Sequence, residues 1–315
     1  MIRSANYHNL FAPVCLFVYS RVGHTQKTIE ALLANEEANE TDLIIFSDGA
    51  KGLDDASDVG HVRDYLGTIQ GFQSITIHSS NANLGLARSI IDGVGKVLAS
   101  FDKVIVLEDD MVTSPYFLKY MNEALCRFSD DERIISIHGY VYPVRDKLPN
   151  AFFLRGSDCW GWATWRRGWD LFNPDGRELF ASLKSKGLLR KFDFDGAYPY
   201  SKMLKDQIKG KNDSWAIRWY ASAFLLNKLT LYPGKSLINN IGNDSSGTHC
   251  GATEVYHPDL TMCPIDLSKL EVKHSARAFK SFNNFFRSSR SNSGFGPLVQ
   301  SFIRWAYFCM QRGLH

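Results

Sequence analysis

The segment Val104–Asp110, VIVLEDD, constrains this chain more than any other. Four consecutive apolar residues, three of them β-branched, suit a strand buried on both faces, as in parallel sheets. Parallel neighbours need crossover connections, so such a strand implies an α/β layer with helices on both faces. Three carboxylates, Glu108, Asp109 and Asp110, follow at its carboxyl end. Open α/β sheets place their ligands just beyond those ends. Adjacent acids repel one another and are tolerated where a cation arrives or water is plentiful. Hard oxygen donors suit Mg2+ or Mn2+, which complete their shells with water and phosphate oxygens. The segment therefore reads either as a metal–diphosphate site or as a solvated acidic turn.

The surrounding pattern extends the sheet. Val14–Tyr19, Leu43–Phe46, Ser74–His78 and Ile134–Ile137 read as strands. Helical spacing marks Thr25–Ala34, Leu86–Leu98 and Pro115–Phe128, with Ile90, Ile91, Val94 and Leu98 on one face of the second. Short strands alternating with helices predict a doubly wound, mostly parallel sheet flanked by helices. After the first strand the chain reads Tyr19-Ser20-Arg21-Val22-Gly23, with no GxGxxG, and no GxxxxGK[ST] occurs. That excludes the usual dinucleotide and P-loop phosphate cradles. Asp48, at the end of the second strand, suits hydrogen bonds from a ribose or base, or the cap of the next turn.

Beyond residue 150 the texture changes. Residues 157–172 carry Trp160, Trp162, Trp165 and Trp169 among glycines, residues 213–232 read as a helix and a short strand, and 239–250 form a polar loop. Seven of the 36 basic residues and none of the 33 acidic ones follow Glu271, so residues 1–271 are net −4 and the rest +7. The texture predicts a single domain over 1–265 and a basic, aromatic-rich tail over 266–315. In the tail Phe279, Phe282, Phe285 and Phe286 alternate with bases, and Leu298, Phe302, Trp305 and Cys309 share one helical stripe. That suits an interfacial helix on an anionic membrane, or a stripe packed on the body. No nucleic-acid-binding motif accompanies these bases. No window is long and apolar enough to span a membrane, no signal-peptide core is visible, and the six cysteines form no CxxC. The expected location is cytoplasmic, peripheral on the inner face of the cell membrane.

An ordered series of motifs resembles GT-A fold glycosyltransferases, and more narrowly the bacterial, N-acetylglucosaminyltransferase I-like group of inverting sugar transferases. It runs APVCLFVYSR, IIFSDG, NLGLARSI, VIVLEDDMVTSPYFLKYMN, CWGWATW, NDSWAIRW and INNIGNDSSGTHC, over Ala12 to about Cys250. The resemblance implies a Rossmann-like GT-A fold and a nucleotide diphosphate sugar donor held by Arg21, Asp48, Arg88, Glu108 and Asp109. It implies Mn2+ or Mg2+ on Asp110, with His249 as a second ligand. It implies a glycan or glycolipid acceptor of the lipopolysaccharide or capsule kind, with Trp160, Gly161 and Trp162 lining the sugar sites. Two positions depart from the pattern: Ser89 stands where a basic or imidazole residue is common, and Ala216 where relatives carry an acid.

The chemistry explains those residue types. Breaking the bond between anomeric carbon and phosphate builds negative charge on the leaving diphosphate, which a divalent cation stabilises. The acceptor hydroxyl needs one general base opposite the leaving group, which inverts the anomeric centre. Asp213 is the expected base, alongside an alternative role capping the helix that begins near Ser214. Asp158 and Asp244 stand in reserve. Trp160 and Trp162, flanking Gly161, point to one side of an extended chain and suit stacking on a pyranose, while Trp165 and Trp169 read as core. Arg166 and Arg167 suit either an anionic acceptor or a solvated surface. The competing functions are a sugar-nucleotide nucleotidyltransferase, whose Gly-rich basic N-terminal loop is missing, and a non-catalytic carbohydrate-binding protein on the same fold.

Overall fold

The computed structural model describes residues 11–242 and 256–291. Its first part alternates as expected: β1 (Val14–Val18), α1 (Val22–Leu33), β2 (Asp42–Ser47), α2 (Leu53–Leu66), β3 (Ser74–Ser79), α3 (Leu86–Ser100) and β4 (Lys103–Glu108). Then come β5 (Met111–Thr113), α4 (Phe117–Arg127), β6 (Ile134–His138), β7 (Ala151–Arg155), β8 (Trp162–Trp165) and the short α5 (Arg166–Trp169). Four helices, α6 (Gly176–Ser185), α7 (Leu189–Phe192), α8 (Tyr200–Ile208) and α9 (Trp215–Leu225), precede β9 (Leu229–Pro233), β10 (Ile238–Asn240) and α10 (Ala276–Ser291).

Among the described residues eight strands form one sheet in the order β3-β2-β1-β4-β8-β6-β9-β7. The pairs among β3, β2, β1 and β4 are parallel, β6 and β9 are parallel, and β8 and β7 run antiparallel to their neighbours. This is a mixed α/β, mostly parallel sheet flanked by helices, consistent with a Rossmann-like GT-A fold. The central strands explain themselves: all of β1 and Val104–Leu107 of β4 are buried, as a strand covered on both faces requires. α3 buries Ala87, Ile90, Val94, Val97 and Leu98, a stripe at helical spacing. α2 is mostly polar and buries little beyond Val59, Val62 and Leu66, so its periodicity is faint in the sequence.

Two arrangements position the site. Antiparallel pairing of β8 with β4 sets Trp162 opposite Val106, so residues 158–161 pass the carboxyl end of β4. A two-stranded sheet of β5 and β10 pairs Asn240 with Met111 and lays Ile241 and Gly242 against Asp110, whose carbonyl accepts from Ile241 N at 2.9 Å.

Of the tail the structure describes residues 266–291, and α10 packs on the body. The aromatic face of α10 turns toward the body: Phe282 and Phe286 are buried, Phe279 stacks on Phe194, and Phe285 and Phe286 pack on Tyr142. Polar anchors reinforce the docking, with Ser281 Oγ donating to Asp146 at 2.7 Å and Arg277 to the Lys147 carbonyl at 2.6 Å. Packing Phe282 and Phe286 against Phe152, Tyr142 and Phe194 removes their apolar area from water. Leu298, Phe302, Trp305 and Cys309 lie outside the described residues. Among the described residues no helix is long and apolar enough to cross a membrane.

Candidate functional site

The acid cluster sits where β4 ends. Parallel register sets Phe17 of β1 beside Glu108, and four residues further on Arg21 stands at the head of α1. From there its guanidinium pairs with Asp109 and reaches Asp110 Oδ2 at 2.8 Å. Thr28 of α1 donates to the Asp109 carbonyl at 2.8 Å, tying the same helix to the turn. Arg21 and Asp109, expected to hold a nucleoside, thus hold each other. The reason is charge: three acids at a strand end need a counter-ion, and the first turn of α1 supplies one.

Burial sets the electrostatics. It lifts the Glu108 carboxyl well above the carboxylate range, and the Asp110 and Asp109 charges push the same way. Asp109 is also raised by burial, with Arg21 opposing. Burial works against the Arg21 charge, but Asp110 and Asp109 outweigh it and hold the guanidinium protonated. Among the described residues Glu108 Oε1 and Asp110 Oδ1 are buried without a hydrogen-bond partner. Gly242 closes the pocket; a Cβ there would lie 2.1 Å from Asp110 Oδ2. Two unpartnered hard oxygens fit a divalent cation. Among the described residues no three His, Cys, Asp or Glu side chains group as metal ligands, and His249 and Asp244 lie outside them.

Asp48 has another task. Its carboxylate accepts from the backbone N–H groups of Gly49 at 2.9 Å, Leu84 at 2.8 Å and Gly85 at 3.0 Å, and from Asn83 Nδ2 at 3.2 Å. Those four bonds use all its lone-pair sites, so it braces the loop entering α3 and has no acceptor left for a ribose. Arg88, exposed in the first turn of α3, pairs with Asp92 at 3.3 Å rather than with the acid cluster.

The tryptophans also depart from expectation. Gly161, at φ +62°, turns the chain between Trp160 and Trp162, and a Cβ there would strike Ile238. The two rings therefore do not share a side. Trp162 is buried among Trp215, Trp169 and Trp219, at centroid distances of 5.4, 5.6 and 5.9 Å, and is core. Trp160 packs edge-on against Tyr140 at 4.7 Å and Tyr256 at 6.1 Å. Arg167 donates to the carbonyls of Ser129, Ile134 and Phe128, and Arg166 to those of Ala99 and Phe101, so neither is a free anion receptor.

Asp213 precedes α9 but does not cap it. Ser214 is the cap, its Oγ accepting from Ile217 N at 3.2 Å. The Asp213 side chain is 60% exposed and lies 3.4 Å from Arg218 Nη2. Burial raises its carboxyl above the usual range, with Arg218 opposing.

The reserve acid Asp158 has a setting that the sequence does not show. Asp158, between β7 and β8, accepts from Cys159 N at 2.9 Å and, more loosely, from the Tyr142 and Tyr232 hydroxyls at 3.5 Å. Burial pushes its carboxyl up to about 6. His138, fully buried at the end of β6, has Nε2 3.7 Å from Asp158 Oδ2, and burial lowers it to about 3. Sequence reading passed over His138 because a lone histidine ending a strand carries no spacing signal; only pairing of β6 with β8 brings it to Asp158. A small cleft of about 20 Å³, room for a single water, lies here, lined by Ser157, Asp158, Cys159, Tyr200, Ala216 and Tyr220 among others. The Cys159 thiol, raised chiefly by burial, also feels Asp158, Glu108 and Asp110, so cleft and acid cluster are neighbours.

No protein-family model and no curated protein matches the chain. Solved structures similar to parts of it include a mannosyltransferase, PcManGT from Pyrobaculum calidifontis in complex with GDP-Man and Mn2+. That match has 13% identity and a TM-score of 0.32 over 43% of this chain, and spans only 37% of the mannosyltransferase. A UDP-glucose pyrophosphorylase complexed with UDP-glucose matches at 11% identity and a TM-score of 0.30, over 53% of this chain and 82% of its own. A 4-diphosphocytidyl-2C-methyl-D-erythritol synthase from Anaerococcus prevotii DSM 20548 matches at 10% identity and a TM-score of 0.31, over 56% and 76%.

Proposed function

We propose that this chain is an inverting glycosyltransferase that moves a sugar from a nucleotide diphosphate sugar to a glycan acceptor. The observation that carries the reading is the buried carboxylate cluster at the carboxyl end of β4, with Glu108 Oε1 and Asp110 Oδ1 unpartnered among the described residues. Asp110 Oδ1 would hold Mn2+ or Mg2+, and Glu108 would border the donor. Bound there, the cation supplies Lewis-acid stabilisation of the leaving diphosphate.

Asp213 is the proposed base. Its exposure leaves it open to an acceptor, and a carboxyl raised by burial takes a proton more readily than an ordinary one. The acceptor hydroxyl gives its proton to Asp213, its oxygen bonds to the anomeric carbon, and the departing diphosphate keeps the electrons of the broken bond. A surface polysaccharide or lipopolysaccharide acceptor rests on the motif resemblance. Attachment to an anionic membrane rests on the basic excess after Glu271, now without the phenylalanines of α10.

The test is incubation of the full chain with a panel of nucleotide sugars and Mn2+. Slow release of nucleoside diphosphate is expected. Formation of nucleoside triphosphate from added pyrophosphate would make it a nucleotidyltransferase, and saturable sugar binding without turnover a binding protein. Asp213→Asn should lower kcat by at least ~100-fold with donor affinity unchanged; an equal loss of donor binding would make Asp213 structural.

A further inference from the structure

We propose that two copies of this chain associate through β3, the strand at one edge of the large sheet, which pairs antiparallel with β3 of the second copy about a two-fold axis at Thr76. The association needs no substrate and stands apart from the glycosyl-transfer reading.

An edge strand offers a row of unpaired N–H and C=O groups, and folds that stay monomeric blunt it with lysine, proline, a bulge or shortness. β3 carries none of these. It is six residues long, reads SITIHS, and keeps one register against β2 from Ser74 to Ser79. It ends the sheet order, and among the described residues no strand lies beyond it. All of its residues are exposed or half-buried, Ile77 at 39%. Burial and Lys96 hold His78 below its ordinary range, so the strand is uncharged at neutral pH.

Symmetry selects the occupant. Ser80 N donates to the Ser47 carbonyl at 2.9 Å, and donors to one parallel neighbour recur at every second residue. The N–H groups of Ser74, Thr76 and His78 therefore face β2, and those of Ile75, Ile77 and Ser79 face outward. A two-fold at Thr76 sets Ile75 opposite Ile77 of the second copy, and Ile77 opposite its Ile75. Each pair exchanges two N–H···O bonds, and isoleucine covers isoleucine. Thr76 falls opposite Thr76 of the second copy at a closely spaced, non-bonded position. Charge fits as well, because His78 falls opposite Ser74 of the second copy. Lys96 Nζ lies 3.4 Å from His78 Nδ1, and Ser74 Oγ donates to Asp42 at 2.6 Å. Each half of the interface thus runs Lys96, His78, then Ser74 and Asp42 of the second copy, with a cation at one end and a carboxylate at the other. An isologous contact makes that row twice.

The experiment is sedimentation velocity on the full chain over a concentration series reaching roughly 100 μM. Wild type should pass from monomer to dimer. Ile77→Pro removes an outward N–H and spares the bonds to β2, so it should weaken association at least ~tenfold, with thermal melting confirming that it folds. Independently, Thr76→Cys should form a disulfide between residue 76 of the two copies under mild oxidation, mapped by mass spectrometry, because facing α-carbons at such a position lie ~4.5 Å apart. Ser74→Cys should not, since the same register separates residue 74 of the two copies by ~13 Å along the strands. A wild type that stays monomeric throughout, a dimer indifferent to Ile77→Pro, no disulfide at residue 76, or one that forms as readily at residue 74 would overturn the proposal.

Discussion

Arg21 Nη2 donates to Asp110 Oδ2 at 2.8 Å and so makes the two oxygens of one carboxylate unequal. Oδ2 is pinned to the head of α1, while Oδ1 is buried with no partner among the described residues. The arginine offsets the charge of the cluster and leaves Oδ1 as the oxygen available to the proposed cation.

Asp110→Ala should therefore separate function from stability. It removes one like charge from a crowded group, so the melting temperature should stay level or rise. Donor turnover should fall at least ~100-fold because charge on the leaving group goes unneutralised. Turnover near wild type, indifferent to EDTA, would show that Asp110 holds no metal.

Arg21→Gln should do the reverse. Asp109 and Asp110 lose their counter-ion, costing about 2–3 kcal/mol, below the range for a fully buried pair because Arg21 is 22% exposed. Mn2+ should raise the melting temperature more in the variant than in wild type, since the cation then meets uncompensated charge. Equal shifts in the two proteins would put the metal elsewhere.

Asp158 makes stability depend on pH. Its carboxyl titrates near 6 in the fold against an ordinary 3.8, so the fold binds this proton more tightly than the unfolded chain. The stabilisation is complete below about pH 4 and lost as pH rises through 6, worth about 3 kcal/mol. His138 slopes the other way, because its neutral form, kept down to about pH 3, stabilises the fold above 6.5. The other groups facing Asp158 are Cys159 and tyrosines 140, 142, 200, 220 and 232, all raised by burial and uncharged in this window. Urea melts should show Asp158→Asn gaining on wild type between pH 4 and 7.5, while His138 contributes equally to both. Parallel curves would show that Asp158 titrates normally.

Phe282 tests the docking of α10. It is buried against Phe152, Tyr142 and Tyr232, so Phe282→Ala should cost about 3–5 kcal/mol. Removing residues 276–315 should destabilise the body further, because it uncovers Phe194 and Tyr142 as well. A truncated chain that melts like wild type would mean that α10 is dispensable for the fold.

Legibility followed interaction range. β1, β2, β4 and α3 could be read directly because parallel strands buried on both faces are runs of apolar residues, and an amphipathic helix repeats its stripe locally. α2 escaped because it buries so few side chains. Strands β5, β7, β8 and β10 escaped because three to five residues carry too little pattern. The acids at the end of β4 were legible as a cluster, but their partner was not: Arg21 lies nearly ninety positions earlier, and only the register of β1 on β4 brings it there.

The residue types at Trp162, Asp48, Phe282 and Asp158 were equally suggestive of ligands, lipid or reserve chemistry. Their neighbours decided otherwise: three tryptophans close around the first, four donors fill the second, and the body covers the third. Asp158 instead gained a histidine, a ring of tyrosines and a cleft. Composition and spacing determined the sheet and the acid cluster, because those depend on neighbours along the chain. Whether a polar or aromatic side chain is spent inside the fold or left for a ligand was decided by tertiary structure alone, because hydrogen-bond saturation and burial depend on residues that meet only when the chain is folded.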